Sequence, residues 1–356
     1  MSAFNGQLRQ NLIQSALFNM IISQDVLGGK IRNNYNLVDK AKEEAGLYGD
    51  TKLFIDVPVL TPVNWVQDSS DAVNLLKLHR PGAPKTQALV IDVFKQVALT
   101  KDDYLSKQAF GTAGAFVTYQ SVLESRLTKS KEVYLNKTYN TFIGTTIGKN
   151  SANSETKLDI NTAANSNSAG ENIAYNMANL IDDMKDYSKN YTKNGFERAF
   201  GDEDITIVWN NKYVNAVKKI DLPSIFHDDA LQSTFIGDVL PARYFGAAND
   251  HTTSQAGDRA THDLYLTTTV AGDTYVAAGD VIPTGLTITA GDAYTVNDKI
   301  ICKVYTKLPP VLEAFSVGTD FFNAKNLSTN MYLTFGHSTL EPLDSEALVT
   351  VYDTAV

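Results

Sequence analysis

From residue 52 the chain alternates with the two-residue period of a half-buried strand. Leu53, Ile55 and Val57 fall on one side of the run, and Phe54, Asp56 and Pro58 on the other. A second strand-like run over 88–97 carries Val90, Ile91, Val93 and Phe94. Between them Arg80-Pro81-Gly82-Ala83-Pro84-Lys85 is a turn signal, with proline on both sides of a glycine. Together they read as a long hairpin of about 45 residues, more than a compact domain ordinarily needs, and such loops are usually functional or touch another subunit. The first 48 residues hold one short amphipathic piece, then Gly28-Gly29 and Asn33-Asn34. They read as an extended arm, ordered only where something ties it down.

The period then changes to that of a helix. Residues 115–143 contain neither Gly nor Pro and lie between Gly114 and Gly144. Phe116, Tyr119, Leu123 and Leu127 recur at steps of three and four, and Leu135, Tyr139 and Phe142 restart the stripe. A helix of that length spans ~43 Å, against a mean of about 12 residues. It is an architectural element crossing a whole subunit. Residues 150–168, rich in Asn and Ser, read as a polar connection. Ser168 with Glu171 three residues on is a capping box. The helix it opens buries Ile173, Met177, Leu180, Ile181, Met184 and Tyr191, and ends at Gly195. A strand over 205–209, a short helix over 211–219 and a strand over 235–240 follow, an order that suggests a mixed α/β domain.

Residues 256–306 change character. Ala-Gly-Asp occurs at 256–258, 271–273, 278–280 and 290–292, and no Lys or Arg occurs from 260 to 298. Short β-prone runs between Gly-Asp turns read as a small β-unit, spaced too irregularly for a solenoid. Pro309-Pro310 closes it, and strand-like runs at 331–335 and 347–352 end the chain.

Charge adds position to this picture. The net is −9 over 356 residues, but it divides into +4 for 1–150, −2 for 151–200 and −11 for 201–356. An acidic second half argues against that half wrapping nucleic acid. Hydrophobic residues make up 43%, enough for a real core, and 35 aromatics argue against disorder as the dominant state. The single cysteine, Cys302, excludes a disulfide scaffold and fits assembly in a reducing cytosol. No apolar run approaches the ~18 residues of a membrane span. Residues 12–22, broken by Gln14, Ser15 and Asn19, do not make a secretory signal.

Candidate chemistry is sparse. His79, His227, His251, His262 and His337 form no cluster at metal-ligand spacing. His227-Asp228-Asp229 is the densest polar group, and reads as helix-start acids before it reads as a metal or catalytic site. Asp258, Asp273, Asp280 and Asp292 lack the dense D-x-D spacing of a calcium loop and read as turn residues. No phosphate loop, dinucleotide fingerprint or serine nucleophile elbow is present. Cys302, inside Ile300-Ile301-Cys302-Lys303-Val304, reads as a packed thiol. Sequons at Asn136, Asn190 and Asn326 have no meaning without secretion. No residue is singled out as catalytic, cofactor-binding or metal-ligating, and no cofactor is expected.

The order of features carries more than any motif. Leu105-Ser106-Lys107-Gln108-Ala109-Phe110 leads into the long helix, and Glu132-Val133-Tyr134-Leu135 through Tyr139-Asn140-Thr141-Phe142 lies near its end. Asp204-Ile205-Thr206-Ile207-Val208-Trp209-Asn210-Asn211-Lys212-Tyr213 is a strand running into a helix, and Phe235-Ile236-Gly237-Asp238-Val239-Leu240-Pro241 a following strand. The chain resembles the major capsid proteins of tailed bacteriophages. That resemblance implies an α+β, Hong Kong 97-type capsid fold. It would comprise an N-terminal arm (1–48), an extended hairpin loop (49–100) and a peripheral domain with the spine helix (101–164). An axial domain (165–330) would carry a β-rich insertion (256–308), and the C-terminal strands (331–356) would complete the peripheral domain. It implies self-assembly as hexamers and pentamers into an icosahedral shell around double-stranded DNA, in a virion assembled in the host cytoplasm. A portal and a separate or already removed scaffold, non-specific contact with DNA and no membrane partner go with it. Some members crosslink a hairpin lysine to an asparagine of a neighbour; Lys77, Lys85 and Lys95 are available here, with no partner Asn or catalytic acid aligned. An encapsulin-like compartment of the same fold, a β-rich surface adhesin or carbohydrate binder, and an enzyme are the other readings, the enzyme last for want of a converging acid–base or metal group.

Overall fold

The computed structural model describes residues 31, 34–44, 46–47, 49–62, 64, 78, 80–102, 113–152, 155–164, 168–218, 237–248, 299–325 and 327–355, with six strand segments between 253 and 296. In chain order the elements are α1 (Val38–Ala41), β1 (Lys42–Glu44), β2 (Thr51–Asp56), β3 (Lys85–Asp102), α2 (Ala113–Thr145) and β4 (Lys157–Ile160). Then come α3 (Ala169–Lys185), β5 (Thr206–Asn210), α4 (Asn211–Lys218) and β6 (Asp238–Leu240). Seven short strands follow: β7 (Gly246–Ala248), β8 (Thr253–Ser254), β9 (Arg259–Ala260), β10 (Leu264–Thr268), β11 (Gly272–Val276), β12 (Ile288–Thr289) and β13 (Ala293–Val296). They pair among themselves in small two- and three-stranded sheets. The chain closes with β14 (Ile300–Tyr305), β15 (Val311–Glu313), β16 (Val317–Asn323), β17 (Ser328–Ser338) and β18 (Leu348–Asp353).

One core is built on a five-stranded sheet of order β4-β18-β14-β5-β6. Its central strand β14 is buried along all six residues, as a strand covered on both faces must be. On one face α3 and α4 bring Ile173, Met177, Ile181, Met184, Val214 and Val217 against Ile207, Trp209, Cys302, Val304 and Val349. The capping box starts α3 as its residues require: the Ser168 hydroxyl accepts from Glu171 N, and Glu171 Oε2 accepts from Ser168 N at 2.8 Å. On the other face the end of α2 supplies Tyr139 and Ile143, and the arm supplies Leu37, Val38 and Ala41.

The second sheet has six strands, β1-β15-β17-β3-β2 with β16 beside β17. The hairpin of β2 and β3 runs antiparallel, Thr51 opposite Val90 and Asp56 opposite Lys85. β3, at 18 residues, is about 60 Å long. Its odd-numbered residues from Gln87 to Lys101 turn inward and its even-numbered residues outward without interruption. At the inner face Leu89 and Ile91 pack with Leu312, Ala314 and Leu343. Further along, α2 lies over the same face: the Tyr134 ring is 5.6 Å from Phe335, and Lys95 and Lys131 cover Tyr134 and Phe335. Glu313 ties the arm to the helix through ion pairs with both Lys42 and Lys131.

Several expectations change. Gly114 and Gly144 lie inside α2 instead of bounding it. At Gly144 a Cβ would stand 1.8 Å from the Tyr244 carbonyl oxygen, so glycine serves close approach there, and the helix continues. The segment 150–168 is not only a polar connection, since it contains β4, paired parallel to β18. α3 stops at Lys185, where Asp186 turns extended, and Tyr191 reaches the core from the loop beyond. The expected division by domain also shifts. β17 joins the hairpin sheet while β18 joins the five-stranded sheet, so 331–356 does not complete a single unit. β15 and β16, placed in the axial range 165–330, belong to the hairpin sheet. β14 belongs to the five-stranded sheet, which ends the β-rich insertion before 300 and not at 308, and β7 starts the small strands ahead of 256.

Candidate interaction surface

On the outer face of the hairpin sheet every even-numbered residue of β3 from 86 to 100 is exposed. The pairings Leu53–Ala88 and Ile55–Thr86 put these β2 residues on the same side as Val90 and Phe94 of β3. The rows continue across β17 to Val317 (through Thr334 and Gln96) and Phe321 (through Asn330 and Thr100). Leu53, Ile55, Val90, Phe94, Val317 and Phe321 are all exposed. At about half exposure such side chains offer on the order of 100 Å² each. They are spread along about 45 Å of strand and share the face with Asp92, Gln96 and Thr100 of β3 and Thr334 and Asn330 of β17, so the face is mixed, with apolar groups set among polar ones. Phe94 is held in place because its ring lies on Gly336, where a Cβ would come within 2.5 Å of it.

β16 adds an edge. It pairs with β17 alone, and all but its last residue are exposed. Phe321 and Phe322 point to opposite faces at 62% and 56% exposure, with Phe315 exposed just before them. Strand edges are normally blunted by charged side chains, Pro or a bulge; Val317-Gly318-Thr319-Asp320-Phe321-Phe322-Asn323 has only the single charge of Asp320, and neither Pro nor a bulge. Beyond β2, Val57, Val59 and Leu60 are exposed as well.

The hairpin is anchored where its two strands enter their connecting segment. Asp56, the last residue of β2, has a side chain 5% exposed and accepts from Arg198 Nη2 and from Asn194 Nδ2, the latter at 2.6 Å. Lys85 Nζ donates to the Asn194 carbonyl at 2.8 Å and lies over the Phe196 ring. Gln87 donates to the Pro342 carbonyl and accepts from Asp344 N, while Lys193 pairs with Asp344. Two loops, 193–198 and 342–344, thus grip the two hairpin strands.

The residues weighed for chemistry do not converge. His337 is buried under α2, with Nε2 3.2 Å from the Tyr134 hydroxyl and Nδ1 2.7 Å from the Ser338 carbonyl oxygen. Cys302 is buried 3.7 Å from the Met177 sulfur, and burial pushes its thiol pKa up. Lys95 lies over Tyr134, away from the outer face. His79, His227, Asp228, Asp229, His251, His262, Lys77, Asp258, Asp280 and Asp292 lie outside the described residues, as do 105–110 and 235–236 and most of the arm; β11 includes the backbone of Asp273. Among the described residues no three of His, Cys, Asp and Glu group to hold a metal ion, and no helix is long and apolar enough to cross a membrane. The Asp56–Arg198 anchor and the Phe321-Phe322 edge were not anticipated. A carboxylate ending an otherwise apolar strand, and an uncharged aromatic pair in a β-prone run, were the available signals.

These two sheets, the hairpin and the long helix together define the capsid fold of tailed phages, the fold expected from the order of features in the sequence. No family model matches the chain, and no curated protein matches it. The likeness is structural. The capsid structure of Staphylococcus phage Andhra contains a chain that matches at TM-score 0.62 and 13% identity, over 93% of this chain and 87% of that one. A chain in the structure of the head fiber and inner core protein gp22 of native bacteriophage P68 matches at TM-score 0.65 and 11% identity, over 93% and 88%.

Proposed function

We propose that this chain is a major capsid subunit that associates with copies of itself, as hexamers and pentamers, into an icosahedral shell around double-stranded DNA. The observation that carries the reading is the set of exposed apolar side chains on the outer face, continued by the Phe321-Phe322 edge strand, on a fold shared with a phage capsid chain. Exposed aromatic and aliphatic side chains of this kind gain from burial, and stable interfaces need about 800 Å² per partner. Neighbouring copies covering the face, the edge and Val57–Leu60 would meet that need. In this reading 1–48 act as the arm and the β2–β3 hairpin reaches a neighbour. α2 with the hairpin sheet forms the peripheral unit, and the five-stranded sheet with α3 and α4 the axial one. A portal, a separate scaffold and packaged DNA held without sequence preference are the further partners. The location is the virion, assembled in host cytoplasm, and the role is structural and not catalytic.

The test is electron microscopy of the full chain, expressed with and without a co-expressed scaffold. Closed shells are the expected product, and Phe321→Lys with Phe322→Lys should abolish them while leaving a folded chain. Protein that stays monomeric under both conditions overturns the reading. Shells from native particles that hold nuclease-protected DNA support the phage role; a protein cargo without DNA would assign the encapsulin-like one.

A further inference from the structure

The joint between the end of α2 and the five-stranded sheet contains a lysine without access to water. Lys303 sits in the middle of β14, opposite Val208 of β5 and Thr350 of β18, and its exposure is 0%. Its Nζ donates to the carbonyl of Thr146, the residue after α2. Two residues on, the Tyr305 hydroxyl donates to the Ile143 carbonyl at 2.9 Å. The last carbonyls of a helix lack intrahelical donors and carry partial negative charge, so β14 supplies the cap that α2 needs. The segment after α2 closes over the lysine. Thr156 N bonds the Gly148 carbonyl, Thr350 N bonds the Thr156 carbonyl, and a Cβ on Gly148 would lie 1.7 Å from the Leu348 carbonyl oxygen.

Among the described residues few ionisable groups act on Lys303. Glu155, in the covering segment, acts on it through its field and accepts from the Tyr352 hydroxyl of β18 at 2.7 Å. Tyr305 on β14, Tyr352 on β18 and Tyr139 on α2 are phenols whose pKa values burial pushes up, so they stay neutral near pH 7. β5 places Val208 opposite and contributes no charge there.

We propose that Lys303 is an acid-sensitive clamp: the cover formed by residues 146–152 and 155–156 opens more readily as the pH falls toward neutrality, because opening lets water reach the lysine. Burial lowers the Lys303 pKa to about 7, with the Glu155 charge opposing. In the open segment the amine returns to the ordinary lysine value near 10.4. Protons therefore favour the open state. Opening becomes easier as pH falls from about 10 to about 7, by at most about tenfold per unit, and levels off below 7, where both states are charged.

Hydrogen exchange on the full chain tests this, with rates corrected for the intrinsic pH dependence of amide exchange. The opening constant of amides in 146–152 and 155–156 should rise roughly fiftyfold between pH 9 and pH 7 and then level off. In Lys303→Met the same amides should show no such rise. A flat wild-type profile, or an equal slope in the variant, overturns the proposal. Should Lys303→Met fail to fold, Glu155→Gln decides: loss of the opposing charge should move the onset of the plateau to lower pH, and an unmoved onset counts against the clamp. These readouts do not depend on whether the chain forms a shell.

Discussion

Replacing either partner of the Asp56–Arg198 pair should have unequal consequences. The Asp56 side chain is 5% exposed and the Arg198 side chain 39%. In Arg198→Ala a buried carboxylate keeps only the Asn194 amide as a strong donor. Breaking a buried pair from the side that leaves the charge behind costs about 3–5 kcal/mol. Partial exposure of the guanidinium lowers that to about 2–3 kcal/mol here. In Asp56→Asn the side chain keeps its size, Asn194 keeps an acceptor and Arg198 turns to water, so the cost should be about 1 kcal/mol. Urea unfolding of the full chain at pH 7 measures both. Exchange of β2 and β3 amides locates the damage, since Asp56 faces Lys85 at the rung where the two strands enter their connection. If Asp56→Asn proves as costly as Arg198→Ala, the burial argument is wrong and the anchor is ordinary surface pairing.

Other outcomes follow from single positions. Gly→Ala inside a helix ordinarily stabilises by about 0.5–1 kcal/mol. Gly144→Ala should instead lower the melting temperature, at about 1–3 kcal/mol for overpacking, because its Cβ would meet the Tyr244 carbonyl; an unchanged Tm counts against that contact. Ser168→Ala removes the acceptor for Glu171 N and should cost about 1 kcal/mol, read from denaturant midpoints. Cys302 should resist thiol reagents at pH 8 in the folded chain and react once unfolded, since it is buried and its thiol pKa is raised; labelling at the same rate in both states contradicts its placement.

Much of the local structure was legible in the residues. The run free of Gly and Pro, with apolar residues at steps of three and four before Leu127 and again from Leu135, located α2 because that spacing suits a helix and not a strand. Ser168 and Glu171 placed the start of α3 to the residue, because a capping box needs only neighbours in sequence. The alternation of Leu53, Ile55 and Val57, with Val90, Ile91 and Val93, marked the hairpin strands. Boundaries failed where a distant contact decided them. Gly144 reads as a helix stop, and the carbonyl of Tyr244, one hundred residues later in the chain, makes it a close-packing residue.

By itself, then, the sequence determined the kinds of element, their order and through that order the fold. Those depend on backbone preference and on periodicity along the chain. Tertiary structure alone decided which face of each element is covered. β3 alternates evenly along its length, yet only α2 and the 308–343 strands and loops make the odd face the inner one and leave Val90 and Phe94 bare. β17 and β18 look alike as strands, and register places them in different sheets. Lys303 reads as one charge in an apolar run, and only the folding of α2 and the segment after it across β14 removes its water. Burial is a property of pairs of surfaces, and a linear pattern names one member of each pair.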